Sequence, residues 1–485
     1  MSVSASGARI QGDDYQHLLA WHHALLLAIP DSSVERVGVE SFSAGNVDDV
    51  VIRRRVGSDE YIQVKYSVDA NNPITSEWFL TPQTSGGKSP LQRFAASWEL
   101  LRGKNAATDT PTMTLFTNRV LDPNDPILSL RDGQRATLAT RLRQQTPKSA
   151  ASKQLGQWAK HVGQTKEQLL ELLSRLALKT DRGAYSELVE ATSDRMGFAG
   201  LQRAALDVEA GVAAIRGWVK DGVREIDKSL FMAEVARRKL QGDKRYVTLL
   251  VEAIDHAPWP ESAQARLNWV DLFQGNEPRA RRQLKDPGQW ISKLRPEMTA
   301  AARTLEATGA GRVVVRGYMR LPLWFLAGTE FPDTRGHHVA ATQRGDFWTS
   351  ESPPSKFEVA TTTTPLGQGE DLAVGLSVTN PVDADVISHC KQAKLPVSAF
   401  VAVSPVDGPG PKAIKDGESA LGWALSTRDA IRAAVRESGA RRVHLFMSGP
   451  AGGALMLGHV WNRVAPTLVY EDLSPGYAPT FEIPS

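Results

Sequence analysis

At 485 residues the chain is too long for one hydrophobic core, and two or three domains are expected. Its 41% apolar content and net charge of +3 suit a globular protein, and they neither demand nor exclude nucleic acid. One cysteine, Cys390, leaves no intrachain disulfide and no cysteine-rich zinc site.

The opening MSVSASGARIQGDD lacks an apolar signal core, and no run approaches the ~20 apolar residues of a membrane span. A cytoplasmic protein with no membrane partner is therefore expected. Asp13 and Asp14 are placed to cap a helix through YQHLLAWHHALLLAI that stops at Pro30. Leu18, Trp21, Leu25 and Leu26 give it an apolar stripe. Gln16 and His17 lie near its start, and either can reach a site; for His17 a solvated first turn is the simpler reading. His22 and His23 are helical neighbours that do not face the same way, which makes them a weak metal pair.

Three short strands follow, built on Val37 and Val39, on DVVIRRR and on YIQVKY, with a Gly57-Ser58-Asp59 turn before the last. On the third strand Ile62, Val64 and Tyr66 point one way, Gln63 and Lys65 the other. Asp49, at the mouth of the preceding strand, can look onto the Gln63 face. A carboxylate and an amide oxygen suit a hard cation such as Mg2+, which lowers the pKa of a bound water. A nearby lysine orients that water or neutralises charge growing on phosphorus. The plain alternative is an antiparallel sheet with polar residues on its wet face. Asp48 and Asp49 point to opposite faces, so only one can be a direct ligand; Asp49 is preferred because Val51 follows on its face. The run Arg53-Arg54-Arg55 reads either as phosphate contacts or as a solvated edge strand.

A loop, a helix around LQRFAASWELLR and an apolar strand TMTLFTNR come next. Helix, three strands, helix and strand is the order of the PD-(D/E)XK fold. GDDYQ, VES, VDDVVI, IQVK, RFAASWELL and LFTNR together resemble the N-terminal endonuclease domain of CD-NTase-associated effector nucleases, over roughly residues 10 to 130. The resemblance implies a variant whose second acidic ligand is glutamine. Asp49 and Gln63 become ligands of Mg2+ or Mn2+, Lys65 the catalytic lysine, Glu40 an additional ligand and Gln16 a supporting residue.

Residues 130 to 255 read as helical, from LLELLSRLAL, LDVEAGVAAIRGWV and FMAEVARRKL. HAPWPESAQ, with two prolines around Trp259, is the expected boundary between domains 1–255 and 256–485. Beyond it strands and helices alternate, as in RVVVRG then MRLPLWFLAG, DLAVGLSV then TNPVDADVISHCKQ, and RRVHLFMSGP then AGGALMLGHVWNRV. PVSAFVAV and TLVYE read as further strands, so an α/β fold on a mainly parallel sheet is expected. Ligands of such folds sit at the carboxyl ends of strands, where helix N-termini meet phosphates. Gly449 and Pro450, Thr379 and Asn380, and Gly317 occupy such positions. Neither a GxGxxG fingerprint nor a GxxxxGK[ST] phosphate loop is present, against a nicotinamide enzyme or an ATPase.

WVDLFQGN, VVRGYMRLPLWFLAG, LSVTNPVDADV, HLFMSGPAGGALMLGHVWN and VYEDLSPGYAPTFEI, in that order, resemble the SAVED domain, two CARF-like Rossmann halves that sense cyclic oligonucleotides. Arg320, Trp348, Thr379, Asn380 and Gly449 are then candidates for phosphate or base contact. Arg320 equally suits a helix cap, and Trp348 either stacks a base or closes the core. Together the two resemblances imply an anti-phage CBASS effector. A cyclic di- or trinucleotide from a partner CD-NTase would drive homo-oligomerisation and cleavage of double-stranded DNA. Two other readings stand: a restriction enzyme sensing modified DNA through its C-terminal domain, and a non-catalytic nucleotide receptor.

Overall fold

The computed structural model describes residues 5–29, 32–41, 45, 47–83, 85–102, 110–132, 136–180, 184–257, 259–344 and 346–485. The chain divides into two units, Met1–Lys244 and Arg245–Ser485. Pro258, in the expected boundary segment, lies outside the described residues. No described helix is long and apolar enough to cross a membrane.

The first unit begins with α1 (Ala5–Ala24), β1 (Val34–Val39), β2 (Val50–Arg54) and β3 (Glu60–Lys65). Helices α2 (Ser76–Leu80) and α3 (Pro90–Arg102) precede β4 (Thr112–Thr117); α2 falls in the expected loop, and the remaining order is the one the sequence predicts. Then come α4 (Ala139–Arg143), α5 (Ala150–Val162), α6 (Lys166–Arg175), β5 (Leu176–Lys179), α7 (Tyr185–Phe198), α8 (Ala205–Lys220), β6 (Glu225–Asp227) and α9 (Lys228–Arg237). The sheet order is β5-β4-β3-β2-β1-β6. β1 to β3 pair antiparallel, and β3 to β5 pair parallel.

Helix α1 starts well before Asp13, so Asp13 and Asp14 lie in its interior and cap nothing. Asp14 instead accepts from Arg216 Nη2 at 2.6 Å. His17 is likewise outside the first turn, and burial lowers its imidazole pKa. Tyr15, Leu18, Leu19 and Trp21 are wholly buried, because α1 packs on the sheet and on α7 and α8. Trp21 lies where a Cβ on Gly211 would stand, 2.1 Å from the indole. His22 shares a 3.1 Å hydrogen bond with Thr192, and burial brings His23 down to about 3, so both are core residues. The opposite sheet face buries Val51, Tyr61 and Leu115 against Phe94, Trp98 and Trp158.

The all-helical reading of residues 130 to 255 fails at β5, at β6 and at a strand, β7 (Val247–Glu252). The first two are short and pair at the outer edges of the first sheet, so their local pattern is weak. β7 begins the second unit, with β8 (Ala265–Asn268), α10 (Arg295–Glu306), β9 (Arg312–Tyr318), α11 (Leu321–Glu330), β10 (His338–Gln343) and β11 (Asp346–Thr349). These strands form one sheet, β11-β10-β9-β7-β8. β12 (Val359–Pro365), β13 (Asp371–Ser377), α12 (Asp383–Gln392), β14 (Val397–Pro405), α13 (Gly417–Ser438), β15 (Val443–Ser448), α14 (Ala451–His459), β16 (Thr467–Asp472) and β17 (Tyr477–Ile483) complete it. The second sheet runs β12-β14-β13-β15-β16-β17, with β13 to β16 parallel and antiparallel edges.

Helices α11 and α14 join the two sheets' layers by a backbone-close crossing. A Cβ on Gly328 would stand 2.2 Å from the Leu455 carbonyl oxygen, and one on Gly458 2.1 Å from that of Phe325. Only hydrogen fits at either position.

Candidate functional site

In the first unit, alternation along β3 puts Gln63 and Lys65 on the face of Tyr61, both half-buried, while Ile62 and Val64 are buried on the other. Asp49 enters β2 opposite them. Its Oδ2 accepts from the Val64 N–H at 2.7 Å and from Gln63 Nε2. Burial raises its carboxyl to about 6, against the pull of that N–H and of Lys65; Asp48 and Glu40 raise it further. The structure thus brings Asp49, Gln63 and Lys65 together.

Glu40 stands at the end of β1 with a left-handed φ of 46°, uncommon for a side chain of this kind. It accepts from Gln16 Nε2 at 3.3 Å and from Arg224 Nη1 at 3.2 Å. Gln16 therefore reaches the site through Glu40. Arg224 was missed by sequence reading, being 184 residues from its partner. Asp48 is buried.

The arginine run does not lie on a sheet edge. β2 is an interior strand, so the solvated-edge reading is corrected. Arg53 instead pairs with Glu225 at 3.1 Å and Asp59 at 3.5 Å. Arg54 and Arg55 bond Ser33 Oγ and the Ser32 carbonyl at 3.1 Å. Gln63 and Lys65 share a small cavity with Trp78, Gln83 and Arg93, so positive charge borders the site.

Asp49 Oδ1 and Gln63 Oε1 accept no hydrogen bond among the described residues. These are the hard oxygen donors that Mg2+ takes, and Mg2+ keeps most of its waters rather than needing a full protein cage. The donor set is sparse, because no group of three or more His, Cys, Asp or Glu among the described residues is arranged for a metal.

In the second unit a cavity of about 740 Å³ opens at the carboxyl ends of β13 and β15. Crossovers leave the neighbouring strands β13 and β15 in opposite directions there, toward β14 and β16, which is the ligand position of doubly wound sheets. Thr379, Asn380 and Gly449 line it, and Arg320 reaches in from the turn after β9. The Asn380 N–H donates to Ser448 Oγ at 3.1 Å, which ties the two strand ends together. Arg320 occupies the N-cap position of α11 but makes no side-chain cap; its Nε donates to the Arg281 carbonyl at 3.3 Å.

Three expected ligand residues lie elsewhere. Trp348 is 1% exposed and packs on Gly452, so it closes the core rather than stacking a base. Gly317 has a φ of 122° and leaves 2.0 Å between a hypothetical Cβ and the Val251 carbonyl oxygen, a packing constraint away from the cavity. Pro450 caps α14 and is not part of the cavity wall. Sequence reading missed His389, Tyr470, Glu471 and Tyr477, which do line it. The one sequence signal was an acid, Glu471, continuing the apolar run TLVYE at a strand's carboxyl end.

Fold and sites together define a mixed α/β chain with a cavity at the strand ends of its second unit. Residues 296–483 match the SAVED family, the "SMODS-associated and fused to various effectors sensor domain". The chain as a whole resembles CD-NTase-associated protein 4 of Enterobacter hormaechei subsp. hoffmannii (strain UCI 50), 22% identical over 98% of this chain and 99% of the relative. Among solved structures it is similar to the Acinetobacter baumannii Cap4 SAVED/CARF-domain containing receptor with the cyclic trinucleotide 3'3'3'-cAAA. That match has 14% identity, covers 99% of each chain and has a TM-score of 0.45. The Moraxella osloensis Cap4 receptor matches at 15% identity, over 97% of this chain and 99% of that one, with a TM-score of 0.42.

Proposed function

We propose that the protein is a CBASS effector, a metal-dependent endonuclease for double-stranded DNA that is switched on by a cyclic di- or trinucleotide. The observation that carries this reading is the union, in one chain, of the Asp49–Gln63–Lys65 cluster with a SAVED domain. Asp49 and Gln63 would hold Mg2+ or Mn2+, with Glu40 and Gln16 supporting the strand ends. The ion would supply an acidified water and charge neutralisation at a phosphodiester. Lys65, on the same strand face as Gln63, would neutralise the charge that builds on phosphorus. Contact through the phosphate backbone alone makes cleavage largely indifferent to sequence.

The cavity around Arg320, Thr379, Asn380 and Gly449 would take the messenger made by a partner CD-NTase in the same cytoplasm. Its binding energy must favour an assembled homo-oligomer over the resting chain, because a nuclease without that gate would cut the host chromosome. Plasmid cleavage by the purified full chain in Mg2+, with and without a panel of cyclic di- and trinucleotides, tests the reading. Cutting only in the presence of one ligand supports it. Ligand-independent cutting points instead to a restriction enzyme.

A non-catalytic receptor is the second reading, favoured by the sparse donor set at Asp49. Ligand binding with no cleavage in Mg2+ or Mn2+ would select it.

A further inference from the structure

Glu471 ends the apolar run of β16 inside the wall of the large cavity, and it is only 4% exposed. Its Oε2 has no hydrogen-bond partner among the described residues. No ion pair joins it to Arg320, although that guanidinium shares the wall. A buried carboxyl oxygen without a partner costs on the order of 1–3 kcal/mol or more, so its place beside a cavity calls for a ligand. We propose that Glu471 is the base-reading side chain of this cavity, pairing with the amidine edge of adenine or cytosine. The inference rests on the reading of this unit as a cyclic-oligonucleotide sensor and specifies what that sensor recognises.

An amidine edge sets an amino N–H beside a bare ring nitrogen. A neutral carboxylic acid matches it with one O–H donor and one carbonyl acceptor. A carboxylate offers acceptors only and repels the bare nitrogen; its better partner is guanine, with two adjacent N–H groups. The surroundings decide between the two forms. Burial pushes the Glu471 carboxyl up to about 8; Arg320 and Arg282 oppose this and Asp472 adds to it. Asp385 and His389 face the cavity from α12, with the imidazole of His389 held below its usual value by burial and His444. Tyr470 and Tyr477 flank the same wall, and burial pushes Tyr477 up to about 12, so neither brings negative charge. Among the described residues Arg320 is the only lysine or arginine lining the cavity, against Asp385 and Asp472. Arriving phosphates add negative charge, which favours the neutral acid still more. The rings of His389, Tyr470 and Tyr477, with the tyrosine centroids 5.5–5.8 Å from the histidine's, form an aromatic cluster on another part of the cavity lining.

The test is calorimetric binding of the cyclic di- and trinucleotides of A, C and G to the full chain, with Glu471→Gln and Glu471→Leu alongside wild type. Wild type should prefer an A or C ligand and lose about tenfold in affinity per pH unit above pH ~8. Glu471→Gln carries the same donor and acceptor without the titration, so it should bind within about threefold at pH 7 and show no such loss. Glu471→Leu should bind at least tenfold more weakly while melting no lower than wild type. Binding by the Leu variant within twofold, a Gln variant as weak as Leu, or a preference for G overturns the role of Glu471 and leaves the sensor reading intact. Wild-type binding of none of the six probes overturns both together.

Discussion

Gln63 Nε2 and the Val64 N–H both donate to one oxygen of Asp49, Oδ2, across neighbouring antiparallel strands. The pairing turns the other oxygens of both side chains free, and it places an acid in a setting that raises its pKa. Buried acids with raised values and like charges nearby are common where a cation is meant to sit. Asp48 and Glu40 supply that like charge here.

Asp49→Asn should abolish cleavage while making the folded chain more stable. A folded-state value of about 6 lies above the unfolded one. The carboxyl's stability contribution is therefore full at low pH and is lost as pH rises through about 6. Removing the charge should add on the order of 1–3 kcal/mol at neutral pH. Thermal melting at pH 7 and pH 5 checks this: the gap between variant and wild type should shrink at the lower pH. A catalytic loss with a lower melting temperature would point to a fold defect.

The same titration sets a pH dependence for metal use. A hard cation needs the ionised acid, so the Mg2+ concentration giving half-maximal cleavage should rise as pH falls through about 6. Mg2+ titrations at pH 5.5, 6.5 and 7.5 measure it. An unchanged requirement would remove Asp49 from the ligand set.

Lys65→Ala should lose cleavage by at least a hundredfold and leave cyclic-oligonucleotide affinity unchanged. Lys65 belongs to the first unit's sheet, whereas the large cavity belongs to the second unit. Parallel cleavage and calorimetric assays separate the two effects. Undiminished cleavage would remove Lys65 from the catalytic set.

The crossing of α11 and α14 should tolerate no side chain. Gly328→Ala or Gly458→Ala drives a methyl group to about 2 Å from a backbone oxygen. Each should cost about 2–4 kcal/mol, visible as a lowered melting temperature. Gly449→Ala is the control, since a Cβ there meets Val378 at an ordinary 3.5 Å.

Much of this protein was legible locally. Period-two alternation showed that Gln63 and Lys65 share a strand face, because the pleat leaves no other choice. The strands DLAVGLSV, PVSAFVAV and RRVHLFMSGP, alternating with helices, announced a mainly parallel sheet, and β13 to β15 fulfil it. The start of α1 was misread because Asp13 and Asp14 are good cap residues whose local preference yields to a helix already under way. Trp348 was open between core and ligand because an indole suits both, and only its packing on Gly452 settles the matter.

The amino-acid order by itself thus determined most of the elements, the faces of β3 and the mainly parallel class of the C-terminal sheet, since those follow from interactions a few residues apart. Tertiary structure alone decided which charges meet. Arg53 pairs with Glu225 across 172 positions, and Glu40 with Arg224 across 184. It also decided that Glu471 keeps one carboxyl oxygen, Oε2, without a partner at a cavity wall while Gly317 and Trp348 do not line it. Electrostatics and burial depend on distance in space, and distance in space is set only when the whole chain has packed.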